Sequence, residues 1–103
     1  MDVELTVRDN VEDNAYEAML DGRLVGRVLY ERKADRVVVR STVVDPRYRN
    51  RGIGGRLVRA ALDDVASAGL SLTNYCGFVT DFLAANPEYL RLVDGRFPGK
   101  TPV

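Results

Sequence analysis

The hydrophobic period of this chain first changes at Asp45-Pro46, and that change limits the folds open to it. Before it, apolar residues alternate with polar ones, as in a half-buried strand; after it they recur every three or four residues, as in an amphipathic helix. Val3 to Arg8 predicts a first strand and Ala15 to Leu20 a second, separated by the polar segment Asp9 to Asn14. Asp21-Gly22 is a dipeptide suited to a two-residue type I′ hairpin, in which both central residues take positive φ. Arg23 to Glu31 predicts the returning third strand, with Leu24, Gly26, Val28 and Tyr30 on one face. A charged turn, Arg32 to Arg36, leads into a fourth strand, Val37 to Val44.

Proline cannot extend a ladder and biases the residue before it away from helix, so Asp45-Pro46 ends the fourth strand. From Arg51 to Ser67 the spacing predicts a helix. Ile53, Leu57, Ala61 and Val65 lie four apart, flanked by Val58 and Leu62, with Arg56, Arg59 and Asp63 on the opposite side. Gly69 is placed to stop it. Leu70 to Tyr75 predicts a fifth strand, Phe78 to Ala85 a shorter helix, and Pro87 to Val93 one further turn. The Gly- and Pro-containing tail, 94–103, is expected to be irregular. The order β-β-β-β-α-β-α makes the fourth and fifth strands a parallel pair around a crossover helix. The expected fold is therefore α+β, a mixed and mostly antiparallel five-stranded sheet with helices packed on it. At 103 residues the chain is expected to form one domain over 1–103.

Two near-absences prune the chemistry. With 0 His and 1 Cys, Ser-His-Asp and Cys-His catalysis, zinc ribbons and His-based metal sites are excluded, and no metal is expected. A lone cysteine forms no internal disulfide, so a cytoplasmic setting is expected, and no apolar run is long enough to enter a membrane. The 15 basic and 15 acidic residues cancel overall. Their distribution does not: Arg47, Arg49, Arg51, Arg56 and Arg59 fall within thirteen residues that contain no Asp or Glu.

That cluster surrounds the most informative segment, Val43-Val44-Asp45-Pro46-Arg47-Tyr48-Arg49-Asn50-Arg51-Gly52-Ile53-Gly54-Gly55-Arg56-Leu57. It is a strand, a tight turn and a glycine-rich start to a helix. The first turn of any helix presents unpaired N–H groups and the positive end of the dipole. Glycines at 52, 54 and 55 remove side chains that would hold an anion away, and the arginines add charge. Such glycines can also serve a turn alone. Yet each costs a helix about 1 kcal/mol relative to alanine, which a purely structural turn has little reason to carry. The segment reads as a site for a phosphate-bearing ligand. Gly99-Lys100-Thr101 superficially resembles the end of a Walker A loop but has neither the spacing nor the strand and helix around it.

Arg49-x-x-Gly52-x-Gly54 matches the pyrophosphate loop Gln/Arg-x-x-Gly-x-Gly/Ala of the GNAT N-acetyltransferase superfamily, and it lies between fourth strand and helix as in that superfamily. With Tyr75-Cys76-Gly77-Phe78-Val79 and Asn86-Pro87-Glu88-Tyr89, the chain resembles the small, roughly hundred-residue GNAT-like subfamily over about residues 3 to 93. The resemblance implies acetyl-CoA as cosubstrate and a primary amine, on a protein or small molecule, as acceptor. It implies that the backbones of Val43 and Val44 pair with the pantetheine arm and that Arg49, Asn50, Arg51, Gly52, Ile53 and Gly54 hold the pyrophosphate. Gly55 and Arg56 belong to the same helix start, and nearby arginines reach the 3′-phosphate. It places Cys76 beside the coenzyme thiol, where it is either a catalytic thiolate favoured by a helix N-terminus or a small buried apolar residue. Asn86 and Tyr89 either touch the pantetheine arm or substrate, or serve as a helix stop and a core tyrosine.

The chain departs from its relatives where they commonly carry His-Thr-Glu-Val. Here the run is Ser41-Thr42-Val43-Val44, and the proline that often follows the cysteine is Gly77. The place of a general base is vacant, leaving water or Tyr75. Two functions stay open: an N-acetyltransferase working by direct attack, and an acetyl-CoA or CoA-binding module with little or no turnover. Nucleic-acid binding is not expected, because Tyr48 is the only aromatic within the arginine cluster. Nothing in the sequence marks an oligomeric state.

Overall fold

The computed structural model describes residues 4–102. Strands β1 (Leu5–Asn10), β2 (Ala15–Leu20), β3 (Arg23–Arg32) and β4 (Arg36–Val44) form an antiparallel meander. A 3-10 turn (Pro46–Tyr48) and helix α1 (Ile53–Ser67) follow, and β5 (Ser71–Asn74) then lies parallel to β4. Helix α2 (Gly77–Ala85) and a second 3-10 segment (Pro87–Leu92) complete the regular structure. The sheet order is β1-β2-β3-β4-β5, the mixed α+β arrangement expected from the sequence. Val3, which the periodicity assigns to the first strand, lies outside the described residues. No described helix is long and apolar enough to cross a membrane.

Asp21 and Gly22 take φ of 51° and 76°, so the β2–β3 hairpin has the positive-φ turn its dipeptide demands. The predicted face of β3 needs correction. Leu24 is 43% exposed, whereas its neighbour Val25 is 1% exposed and sits in the core. The β2–β3 register passes from Ala18↔Gly26 to Met19↔Leu24, so Val25 is the extra residue of a β-bulge. A second bulge falls in β4, where Leu29↔Ser41 is followed by Tyr30↔Val39 and Arg40 is left over.

Helix α1 covers the sheet with Ile53, Leu57, Val58, Ala61, Leu62 and Val65, all buried in one cluster with Val25, Val28, Val37, Val39 and Leu72. Burying each large member is worth about 1.5–3 kcal/mol. Truncating Leu57 to alanine would cost about 2–5 kcal/mol. The helix begins at Ile53 and not at Arg51, because Gly52 takes φ 75° and cannot be helical. Polar ties flank this core. The Tyr16 hydroxyl donates to Asp64 Oδ2 at 2.6 Å and the Tyr30 hydroxyl to Asp9 Oδ1 at 2.5 Å. Burial and these carboxylates push both phenols above the usual tyrosine range. On β2, Glu17 is buried, which raises its pKa. Hydrogen bonds from Arg8 and Asn10, with the charges of Arg8 and Arg27, more than offset this and hold it below the ordinary glutamate value.

The described residues beyond Leu92 contain no helix, yet they are anchored along the free side of β5 by parallel bridges Leu72↔Val93 and Asn74↔Gly99. Asp94 accepts from Ser71 Oγ at 2.7 Å and from the N–H groups of Arg96 and Phe97. These bonds, that of Ser71 foremost, hold its carboxyl down at about 2.

Candidate active site

Strand β5 ends at Asn74 while β4 continues to Val44, so Ser41–Val44 have β3 as their only partner strand among the described residues. The parting follows directly on the bulge at Arg40. Beside this free edge, the turn after β4 and the start of α1 enclose a cleft of about 550 Å³. Thr42, Val43 and Val44 line one side, Tyr48, Arg49, Asn50 and Gly52–Gly55 another, and Phe78 of α2 a third. Val43, 54% exposed, also borders a shallower groove formed with Leu24–Arg27 and Asp45–Arg47.

Local sequence explains the turn. Asp45 caps the 3-10 segment by accepting from Arg47 N–H at 2.9 Å, with Pro46 in the first position. The guanidinium of Arg47 meets the same carboxylate at 2.9 Å. Its hydrogen bond, then that of its backbone, holds Asp45 below the usual aspartate value. Asn50 and Gly52 take φ of 63° and 75°, turning the chain twice through the left-handed region before α1 begins. Gly52 offers α1 no side-chain cap, and no acidic residue occupies the first turn. The first intrahelical bond is Arg56 N–H to the Gly52 carbonyl, at 3.1 Å. The earlier N–H groups belong to Ile53, Gly54 and Gly55, which line the cleft.

The predicted site residues fall into two groups. Val43, Val44, Arg49, Asn50, Gly52, Ile53, Gly54 and Gly55 meet in the cleft. Arg51, Arg56, Cys76 and Asn86 do not line it. Arg51 lies over the Tyr48 ring at 5.3 Å, and Arg56 is an exposed residue of the first helical turn. Asn86 accepts from Arg59 Nη2 at 2.9 Å and donates to the Phe82 carbonyl at 3.0 Å, which commits it to joining α1 to the end of α2. Tyr89 is likewise committed, donating to Asp63 at 2.7 Å and accepting from Arg59. Of the five clustered arginines, Arg47 and Arg59 are thus engaged in structure. Arg49, Arg51 and Arg56 have no ion pair among the described residues.

Cys76 caps α2, is 6% exposed and stands one side chain behind the cleft wall, its Sγ 3.4 Å from Thr42 Oγ1. Sequence reasoning missed Phe78. A Cβ on Gly54 would come within 2.7 Å of its ring, so this glycine admits an aromatic side chain as well as opening the helix start. A glycine inside a helix at negative φ is the signal: it marks a close neighbour rather than a turn.

Residues 15–92 match the family model of the GCN5-related N-acetyl-transferases. The chain belongs to that family. Solved structures share the fold. The ribosomal-protein-S18-alanine N-acetyltransferase from Escherichia coli aligns with TM-score 0.55 and 20% identity over 58% of this chain and 39% of that one. Ard1 from Thermoplasma volcanium gives 0.54 and 20%, over 62% of this chain and 45% of its own. An aminoglycoside acetyltransferase from an uncultured soil metagenomic sample, in complex with sisomicin, gives 0.53 and 17%, over 69% and 54%. At such identities the likeness is one of fold, and the chain spans about half or less of the length of these relatives. No curated protein matches it.

Proposed function

We propose that this chain is an N-acetyltransferase that moves the acetyl group of acetyl-CoA to a primary amine, on a protein or a small molecule, by direct attack. The observation that carries the reading is the meeting of two unsatisfied backbone surfaces in one cleft: the uncapped first turn of α1 and the free edge of β4. The first suits a pyrophosphate and the second the amide-bearing pantetheine arm. The N–H groups of Gly52–Gly55, with Arg49, would hold the phosphates, while Arg51 and Arg56 stand near enough in sequence to meet the 3′-phosphate. Val43 and Val44 would pair with the arm. Acetyl-CoA, when bound, supplies an activated thioester carbonyl.

The chain itself contributes position and polarity. Backbone N–H groups at the β4 edge can stabilise charge on a carbonyl oxygen. No Asp, Glu or His is among the described residues that line the cleft, and in this reading the acceptor amine loses its proton to solvent. The rate is then expected to rise with pH toward the ordinary amine pKa of about 10. The side-chain hydrogen-bond partner of the Cys76 thiol among the described residues is the Thr42 hydroxyl, not a base, which supports direct attack over a Cys76 nucleophile. The single thiol fits a cytoplasmic setting. The vacant base position favours one second reading, a coenzyme-binding module with little turnover.

Thermal unfolding with acetyl-CoA tests the binding step. At about 100 times the dissociation constant the ligand should stabilise the fold by about 2.7 kcal/mol, a rise on the order of 10 °C or more. No rise at millimolar ligand would sink the reading. Intact-mass assay of a panel of amines and basic peptides, with the Cys76→Ala variant alongside, tests turnover. Direct attack predicts that Cys76→Ala keeps most of the activity. Binding without acetylation of any amine would favour the module.

A further inference from the structure

Asn74 ends β5 at the point where the cleft opens, and its side chain is 0% exposed. Its Oδ1 accepts from the Cys76 N–H at 3.0 Å, the i to i+2 bond of an Asx turn. Its Nδ2 faces three oxygens, the Cys76 carbonyl, Thr80 Oγ1 and the Lys100 carbonyl, each at 3.1 Å. That pattern of one donor and three oxygens fixes which way the amide is turned. The Asn74 backbone is held from the same side. Its N–H donates to the Pro98 carbonyl at 3.1 Å, and its carbonyl accepts from Lys100 N–H. Gly99 lies between these two at φ 70°, and a Cβ there would fall 2.1 Å from the Asn74 carbonyl oxygen.

We infer that Asn74 is the positioning residue that sets where β4 and β5 part, and that the C-terminal segment Pro98–Lys100 belongs to the framework of the cleft because it completes the hydrogen bonds of Asn74. The inference rests on the acetyl-CoA reading of that cleft. The last ladder bond is Tyr75 N–H to the Val39 carbonyl, at 2.8 Å. The Asx turn then bends the chain away, where a continuing strand would run on beside Ser41 and Thr42 and close the β4 edge. The same turn makes Cys76 the cap of α2, which sets Phe78 over Gly54 and the Cys76 thiol against Thr42. Residues far along the chain from the glycine-rich turn thereby govern a neighbouring wall of its cleft.

Two variants test this. Asn74→Asp keeps the shape and the acceptor for Cys76 N–H but sets a carboxylate oxygen against three oxygens. Gly99→Val leaves Asn74 unchanged and forces Pro98–Lys100 off it. Val65→Ala, in the core of α1, serves as a destabilised control remote from the turn. CoA affinity by titration calorimetry and the rate of Cys76 alkylation by iodoacetamide are measured on all, below their melting temperatures. Both test variants should bind CoA about tenfold more weakly and alkylate about tenfold faster, while Val65→Ala should do neither. Wild-type affinity and alkylation in both variants would overturn the inference. A defect confined to Asn74→Asp would overturn the part assigned to the tail. If Asn74→Asp fails to fold, Gly99→Val decides. If the unsubstituted protein binds no CoA, the acetyl-CoA reading fails, and the alkylation rates alone then support or overturn the role of Asn74.

Discussion

The two ends of α1 are finished in opposite ways. At its C-terminus Gly69 takes φ 70°, Leu70 N–H reaches the Val65 carbonyl at 3.1 Å and Gly69 N–H the Ala66 carbonyl at 3.0 Å. Those two bonds make a Schellman motif, which satisfies the carbonyls a helix leaves open. At its N-terminus there is a glycine cap without a side chain, no acidic residue and two more glycines in the first turn. One helix therefore carries a closed end that serves stability and an open end that gives stability up. Gly52 is fixed by its φ of 75° and Gly54 by the Phe78 ring, but a Cβ on Gly55 would meet nothing within 4 Å, so packing does not require that glycine.

The strongest way to break this contrast is to close the open end. In Gly55→Asp the new Cβ meets nothing within 4 Å. A carboxylate there favours the helix by about 0.3–1 kcal/mol, so the melting temperature should rise by a few degrees. Placed about 4 Å from a phosphate at an effective dielectric of about 20, it repels by about 4 kcal/mol. CoA affinity should fall on the order of a thousandfold by calorimetry, in a protein more stable than before. Retained affinity would show that the first turn holds no anion.

Opening the closed end should do the reverse. Gly69→Ala puts a Cβ into the left-handed region at a cost of about 1–2 kcal/mol, lowering the melting temperature by about 4–8 °C per kcal/mol. The dissociation constant for CoA, measured well below that temperature, should not move. A parallel loss of affinity would mean that the two ends are not independent.

A smaller, pH-dependent effect comes from the other closed terminus, the tail tied down by Asp94. Its folded pKa of about 2 lies below the ordinary aspartate value of 3.8, so its stabilisation is present above the unfolded pKa and is lost as pH falls toward 2. Asp94→Asn should melt below the wild type at pH 7, and the gap should shrink between about pH 4 and pH 2. A gap independent of pH would remove the carboxylate from the explanation. The least effect is expected at Arg49→Gln, which keeps a hydrogen-bond donor of the kind the family pattern allows there. An exposed charge is worth about 0.2–1 kcal/mol, so CoA affinity should drop only a few-fold and lose part of its salt dependence.

Local rules made much of this molecule legible. The switch of period at Asp45-Pro46, the hairpin at Asp21-Gly22 and the stop at Gly69 each act over a few residues, and each appears where the sequence puts it. The failures share a cause in partners distant along the chain. Alternation cannot tell which of Leu24 and Val25 faces inward, because both are apolar and the bulge depends on the register with β2. The arginine cluster reads as one run, yet Arg59 is bound by Asn86 and Tyr89, partners far along the chain from it. Phe78 emerged only once α2 was seated on Gly54. The tail has no pattern of its own, since its order comes from Asp94 and from Asn74.

The free edge of Ser41–Val44 also bears on self-association. An unpaired strand edge is a template on which another chain can add, and proteins usually shorten, charge or cover it. Here the edge is recessed. Phe78, seated on Gly54, and the turn 48–55 border it, and the bulge at Arg40 breaks the flat run of backbone that a second sheet would need for register. A slender, flexible molecule can lie along such an edge, whereas the rim of a folded sheet meets those walls first. On the acetyl-CoA reading the walls that admit the ligand would also hinder a second sheet, so filling or flattening the cleft by mutation should be read for loss of solubility as well as loss of binding.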